Sequence, residues 1–392
     1  MDMKLVLEAC GKALPEQIID NDWFAARLDT SDEWIRQRTG IRERRLAIDI
    51  AGPGTVAPNS SQSGIARPDG KIPIDGTQVA NLALDAARRC LKNFRELNPT
   101  DSVYHTTISA AGSDAAFAEN SDKNTATASE VAKAVDVATV ATSLSVAERI
   151  KYVLVATMSA EQRMPNIASQ LIEPLGLNPN VLAFDINAAC TGFVYSLETA
   201  SALLKTQPPD SLALVIGAER LSSLLDFSDR STAVLFGDGA AATLWSVEPG
   251  PKDIFISGTE TAPLLLYTDA DQHIRMEGRA VFRYATSTLP RVLQELAEVG
   301  ELETDAIDYF LLHQANSRII DSISSRLNLP AERFPQNLAL CGNTSAASLP
   351  LLLADLWSDG TLSRTGQQNL NICLAAFGAG MSYGSVLMRR NS

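Results

Sequence analysis

The sequence predicts a layered α/β fold, and three observations predict it. Short β-rich apolar runs alternate with helical patterns, the runs carry no polar face, and one strand–helix unit recurs later in the chain. Runs apolar on both faces belong to strands covered by helices on each side. Strands and helices in alternation pack as successive layers.

Composition permits that fold and argues against other classes. At 392 residues the chain suffices for one large domain or two of ordinary size. It is 45% hydrophobic and 20% charged with a mean hydropathy of +0.01, the make-up of an ordinary globular protein. A formal charge of −13 and a pI near 4.8 argue against a nucleic-acid partner.

In chain order, "MDMKLVLEACGKALPEQIID" (1–20) has no basic stretch followed by a long apolar core, so no signal peptide is expected. No apolar run reaches the roughly 18 residues of a membrane span. Residues 51–76, dense in Gly, Pro and Ser, read as a long surface loop. Residues 98–148, rich in Ala, Ser and Thr, show no firm period in their first half, and no element is assigned there. Strands follow at "KYVLVAT" (151–157), "VLAFDI" (181–186), "LALVIGAE" (212–219) and "DYFLLH" (308–313), each read as buried on both faces. Helices are expected at "NIASQLIEPLGL" (166–177), "STLPRVLQELAEVG" (287–300) and "SRIIDSISSRLNL" (317–329). The recurring unit runs strand, helix, then "LGLNPN" or "LNLPAERF", then a loop of small and polar residues that opens a further helix. It sets Cys190 and the 341–345 loop at corresponding places.

Five cysteines (Cys10, Cys90, Cys190, Cys341, Cys373) are odd in number and free of CxxC pairs, which argues for a reduced, cytoplasmic protein without a zinc site. Cys190 stands where a strand turns into a helix, in "FDINAACTGFVYSL" (184–197). A thiol near a helix's first turn meets N–H groups that favour a thiolate. Only three histidines could assist it. His105 lies in the unassigned stretch, and His273 lies in "TDADQHIRMEGR" (268–279), a polar turn between strands. His313 ends an apolar strand; alone it reads as a strand cap, but the repeat puts it beside the Cys190 loop. Asn343, in "CGNTSAAS" (341–348), can offer an amide donor to an oxyanion or can cap the next helix, and spacing alone favours the cap. Gly378 and Gly380 around Ala379 allow close backbone approach, or a bulge or tight turn. "FGDGAAA" (236–242) lacks the Lys and Ser/Thr of a phosphate-binding loop and reads as a turn.

Seven stretches in one order carry a resemblance: "TSDEWIRQRTGIRER", "FDINAACTGFVYSL", "DRSTAVLFGDGAAA", "RMEGRAVFR", "LLHQANSRIIDSISSRL", "CGNTSAASLP" and "FGAGMSYGSVL". The chain resembles the β-ketoacyl-acyl-carrier-protein synthase III (FabH-type) condensing enzymes of the thiolase superfamily. The match covers most of 5–47 and nearly all of 151–389, and fails near 49–76 and 98–149, where this chain carries extra sequence. The resemblance implies a thiolase-like, duplicated, five-layered α-β-α-β-α architecture with inserted segments in the N-terminal half. Residues 1–205 would form the half with the nucleophile, and 206–392 the half with His and Asn.

By the same resemblance Cys190 is the acyl-accepting nucleophile, and His313 and Asn343 stabilise the enolate formed when malonyl-acyl carrier protein loses carbon dioxide. The N–H groups of Cys190 and Ala379 would form the oxyanion hole, with Phe377 separating the half-reactions. Trp34, Arg38 and Arg230 would hold the adenine of coenzyme A, with Asn316 lining the pantetheine tunnel and Gly278 its rim. Arg279, Arg283 and Arg318 are candidate docking residues for an acidic carrier protein, or simply a solvated charged face. Met164 stands where the family often has the Phe that reaches across the dimer interface into the acyl pocket; a Met is longer and more adaptable. The implied reaction joins an acyl-CoA primer to malonyl-acyl carrier protein by decarboxylative Claisen condensation. The protein would be a homodimer with no metal, no cofactor beyond its thioester substrates, and no nucleic-acid or membrane partner. The alternative is a pathway-specific ketosynthase or acyltransferase of secondary metabolism with the same Cys–His–Asn set.

Overall fold

In the computed structural model, which describes residues 2–51, 55–57, 79–99, 144–362 and 369–390, the chain opens with a long strand, β1 (Met3–Ala13). A hairpin of β2 (Ile18–Asp20) and β3 (Glu43–Arg45) brackets two short helices, α1 (Asn21–Ala25) and α2 (Asp32–Thr39). Asp20 accepts from Trp23 N–H and Ser31 from Trp34 N–H, which satisfies donors that a first helical turn leaves free. β4 (Asp49–Ala51) and β5 (Thr55–Ala57) pair antiparallel where the sequence reads as loop. Strands of three residues are too short to leave a period in sequence. The rest of 51–76, and 100–143 of the unassigned stretch with His105, lie outside the described residues.

Next come α3 (Val79–Leu97), α4 (Val146–Arg149), β6 (Ile150–Ala156), α5 (Ile167–Gln170), β7 (Leu182–Ile186), α6 (Gly192–Leu204), β8 (Leu212–Arg220) and β9 (Asp238–Pro249). The helix expected over 166–177 is only the single turn α5. Its first N–H groups, from Ile167 and Ala168, are held by the Asp185 carboxylate of β7. Pro174 and the left-handed Gly176 (φ 63°) then prevent a longer helix. The chain continues through β10 (Ile254–Thr259), the hairpin of β11 (Leu266–Thr268) and β12 (Ile274–Met276), and α7 (Gly278–Val299). It closes with β13 (Tyr309–Leu312), α8 (Ser317–Leu327), α9 (Leu338–Cys341), α10 (Ser348–Ser358), β14 (Leu370–Gly378) and β15 (Ser382–Arg390).

Among the described residues two sheets have more than two strands, in the orders β1-β9-β8-β6-β7 and β10-β15-β14-β13. Their pairing senses correspond strand for strand. β1 with β9 and β10 with β15 are antiparallel, β9 with β8 and β15 with β14 are antiparallel, and β8 with β6 and β14 with β13 are parallel. The fold is therefore built from one unit used twice, and among the described residues β7 has no counterpart in the second sheet. The change of sheet falls between Pro249 and Ile254, because β8 and β9 return to the first sheet after α6. β7 also departs from expectation. Among the described residues it is an edge strand with β6 as its one neighbour, and its residues are exposed or half-exposed rather than buried on both faces.

α6 packs on β6 and β8 of one sheet and on β14 and β15 of the other, and α10 likewise touches β8, β9 and β13. Both helices are apolar around most of their circumference, as a helix buried on all sides must be. α3 covers the outer face of the first sheet, and α7 the outer face of the second with α8 against it. The result is five layers, helix–sheet–helix–sheet–helix. The two central helices begin alike. Ala189 and Ser345 each have φ 47° and each open a 3-10 turn, Ala189–Thr191 and Ser345–Ala347, that runs directly into α6 and α10. The second turn rests on β8 at Gly217, where a Cβ would come within 2.4 Å of Ala346 O. Among the described residues no helix is long and apolar enough to cross a membrane.

Candidate active site

Cys190 is the middle residue of the first 3-10 turn, 7% exposed, and its thiol donates to Ser345 Oγ at 3.3 Å. Two joints from the two halves of the fold therefore meet at the sulfur. Burial pushes the thiol up to about 12; the Ser345 hydrogen bond opposes that rise and the nearby Glu219 carboxylate adds to it. Removal from water is thus the largest influence on the thiol, and it acts against the N–H groups that favour a thiolate.

His313 follows β13 at the end of the second sheet, held there by its N–H to Ala375 O at 2.8 Å. Its ring is 2% exposed and lies edge-on to Phe377, with centroids 5.6 Å apart. Burial pushes its pKa down to about 3, so the imidazole is neutral. Nδ1 lies 2.6 Å from Ser348 Oγ, and Nε2 has no partner among the described residues. Asn343 is pinned on both sides: its N–H donates to Leu235 O and its C=O accepts from Gly237 N–H, each at 2.9 Å. Its Oδ1 accepts Ser345 N–H at 2.9 Å, a local turn contact one residue ahead of the cap position, which is Thr344. That bond leaves Nδ2 without a partner among the described residues.

Cys190, His313, Asn343 and Phe377 line one cavity of about 660 Å³. Trp34, Arg38, Arg230, Gly278, Asn316, Arg279, Arg283 and Arg318 line it too. The first four residues are buried; of the others, Trp34 and Asn316 are half-buried and the rest exposed, so the cavity runs from a dry end to a charged rim. Trp34 sits between two guanidinium groups, with Arg38 at 5.8 Å and Arg230 at 5.4 Å from its ring centre. Asn316 lines the wall while its amide bridges α2 and α8, donating to Arg38 O and accepting Arg318 N–H. Arg318 lies over the Phe282 ring at 5.7 Å.

Met164 and Ala379 are not among the lining residues. Met164 is 82% exposed in the loop before α5. Beside Ala379, a Cβ on Gly378 would lie 3.0 Å from Cys190 N, so β14 runs alongside that amide only because Gly378 has no side chain.

Four contributors were missed in sequence. Ser345 and Ser348 stand three apart in "SAAS", a spacing that puts both on one side of a turn, and this was a usable signal. Glu219 is the lone acid ending an apolar strand. It accepts Thr157 Oγ1, Ser159 Oγ and Met158 N–H, and burial raises its pKa to about 7. Arg275 binds Asp269 at 2.7 Å, Asp226 at 3.1 Å and Asp229 at 3.4 Å, fastening the β11–β12 hairpin to the turn that carries Arg230. Asp269, Asp271 and His273 approach one another on that hairpin, but Asp269 is already taken by Arg275 and by the His273 and Asp271 N–H groups.

Known proteins share this arrangement of sheets and sequence. Residues 184–261 match the family model of 3-oxoacyl-[acyl-carrier-protein] synthase III, and 297–390 match the model of its C-terminal part. The β-ketoacyl-[acyl-carrier-protein] synthase III of Acholeplasma laidlawii is 33% identical over 99% of each chain, and that of Oenococcus oeni 35% over 96% of each. The chain belongs to this family. The crystal structure of 3-oxoacyl-[acyl-carrier-protein] synthase III from Aquifex aeolicus superimposes with a TM-score of 0.73 at 29% identity, over 99% of each chain. The priming β-ketosynthase of the R1128 polyketide pathway, at 24% identity and a TM-score of 0.71, shares the fold.

Proposed function

We propose that the protein condenses an acyl-CoA primer with malonyl-acyl carrier protein to give 3-oxoacyl-acyl carrier protein, the step that starts fatty-acid synthesis. The observation that carries this reading is that one cavity joins a buried thiol, two side-chain nitrogens without partners among the described residues (His313 Nε2 and Asn343 Nδ2) and a tryptophan with two guanidinium groups near its ring. Coenzyme A lays its adenine on Trp34 between Arg38 and Arg230, and its pantetheine runs past Asn316 and Gly278 to the dry end. Cys190 Sγ attacks the acyl carbonyl, and its proton leaves with coenzyme A as the free thiol. The N–H groups of Cys190 and Ala379 hold the tetrahedral oxyanion.

Malonyl-acyl carrier protein then enters, guided by Arg279, Arg283 and Arg318, which form no ion pair among the described residues. Loss of carbon dioxide leaves an enolate whose oxygen takes hydrogen bonds from His313 Nε2–H and Asn343 Nδ2–H. Its carbon attacks the acyl-enzyme, the Cys190 thiolate departs, and a proton from solvent restores the thiol. Phe377 keeps the two half-reactions apart. The chemistry runs on two thioesters in the cytoplasm, without metal or further cofactor. The protein acts as a homodimer paired along the free edge of β7, which brings Met164 of each protomer toward the acyl pocket of the other and sets the primer it accepts.

Intact-mass spectrometry after mixing with a panel of acyl-CoAs tests this reading. The wild type gains the acyl mass and Cys190→Ala does not. His313→Ala and Asn343→Ala still acylate, yet each forms 3-oxoacyl-acyl carrier protein about 100-fold more slowly, the usual cost of losing one oxyanion donor. Folded wild-type protein that takes no acyl group from any CoA overturns the proposal.

A further inference from the structure

The hydrogen bond behind His313 decides which face of the imidazole meets the substrate. Ser348 opens α10 and is 2% exposed. Its Oγ accepts Gln314 N–H at 3.4 Å and lies 2.6 Å from His313 Nδ1. A serine hydroxyl has one proton to give. Among the described residues the hydroxyl has no contact besides these two, and Gln314 N–H can only donate. If Nδ1 carried the imidazole proton, Ser348 would receive two donors, and its own buried proton would have no acceptor. If Nδ1 is bare, every group is satisfied: Gln314 N–H donates to Oγ, and Oγ–H donates to Nδ1.

We propose that Ser348 is a positioning residue that holds His313 as the Nε2–H tautomer, so the imidazole offers the cavity a donor rather than a lone pair. This rests on the reading above, in which His313 and Asn343 receive the enolate oxygen. With the opposite tautomer, a nitrogen lone pair would face that developing negative charge beside Asn343 Nδ2–H, and half of the stabilisation would become repulsion. The neighbouring Phe377 ring, edge-on at 5.6 Å, leaves the imidazole plane little room to turn away. The device needs no buried carboxylate, and burial keeps the ring neutral, which leaves the tautomer as its one degree of freedom.

Nitrogen-15 NMR of histidine-labelled protein tests the proposal directly, because only three histidines share the spectrum and His313→Gln assigns the resonance. The wild type should show His313 protonated at Nε2 with a bare, hydrogen-bonded Nδ1. Ser348→Ala should show a mixture of tautomers, and its kcat for condensation should fall at least about tenfold, while Cys190 acylation stays within about twofold and KM for malonyl-acyl carrier protein changes little. A wild-type His313 protonated at Nδ1 overturns the proposal, even if the alanine variant does not fold. A folded Ser348→Ala that condenses at the wild-type rate overturns it as well. Failure of the function reading looks different: Cys190 would not acylate, or His313→Ala would leave condensation intact, whatever the tautomer.

Discussion

Burial holds the His313 imidazole neutral, with its pKa lowered to about 3, and that shift has a thermodynamic sign. An unfolded chain binds the proton near the ordinary value of about 6.5, where the folded protein does not. The folded-state pKa is depressed, so stability is whole above about 6.5 and drains away as the pH falls toward 3, by up to about 1.4 kcal/mol per unit. His313→Gln lacks this liability. The difference in urea unfolding free energy, wild type minus variant, should therefore shrink between pH 7 and pH 4, and a difference independent of pH would contradict the assignment. At this scale the sequence was legible where scarce residue types fell at strand ends. Three histidines and five cysteines leave few pairings, and Cys190 and His313 emerge from that count. Ser348 and Glu219 did not emerge. A serine in a run of serines and an acid after a strand look ordinary until distant segments deliver their partners.

Between residues and the whole lie the hairpin and turn that Arg275 joins. Its guanidinium spans three carboxylates from two segments, and the turn it fastens carries Arg230 against Trp34. Arg275→Ala should free both, raising KM for acyl-CoA about tenfold, the equivalent of one charge-assisted hydrogen bond, with a smaller effect on kcat. Steady-state kinetics decide it; a fall in kcat alone would place Arg275 elsewhere in the mechanism. The apolar strands β6, β8 and β13 were readable to within about a residue or two, inside ordinary boundary scatter. The short elements β4, β5 and α5 were not, since they are held by pairing and by Asp185 rather than by any apolar run of their own.

The molecule as a whole has one sheet edge that its own duplication does not explain. Among the described residues β7 pairs on one side only, with Leu182 52% exposed, and such an edge is ordinarily covered. Leu182→Lys should leave the fold intact and convert the proposed dimer to a monomer in sedimentation velocity; a wild type that is already monomeric would remove the proposed interface. Two-fold layering was foreshadowed in sequence by the recurring strand–helix unit. The place where the chain changes sheet left no such signal, because the chain passes through the central layer at α6 and then returns to the first sheet for two more strands.

The twin left-handed joints at Ala189 and Ser345 make two halves of one fold answer for one site. The two copies carry unlike residues: the first holds Cys190, and the second holds Asn343 and Ser348 beside its own joint. On the proposed roles neither copy can stand in for the other, so damage to either joint should silence the whole site.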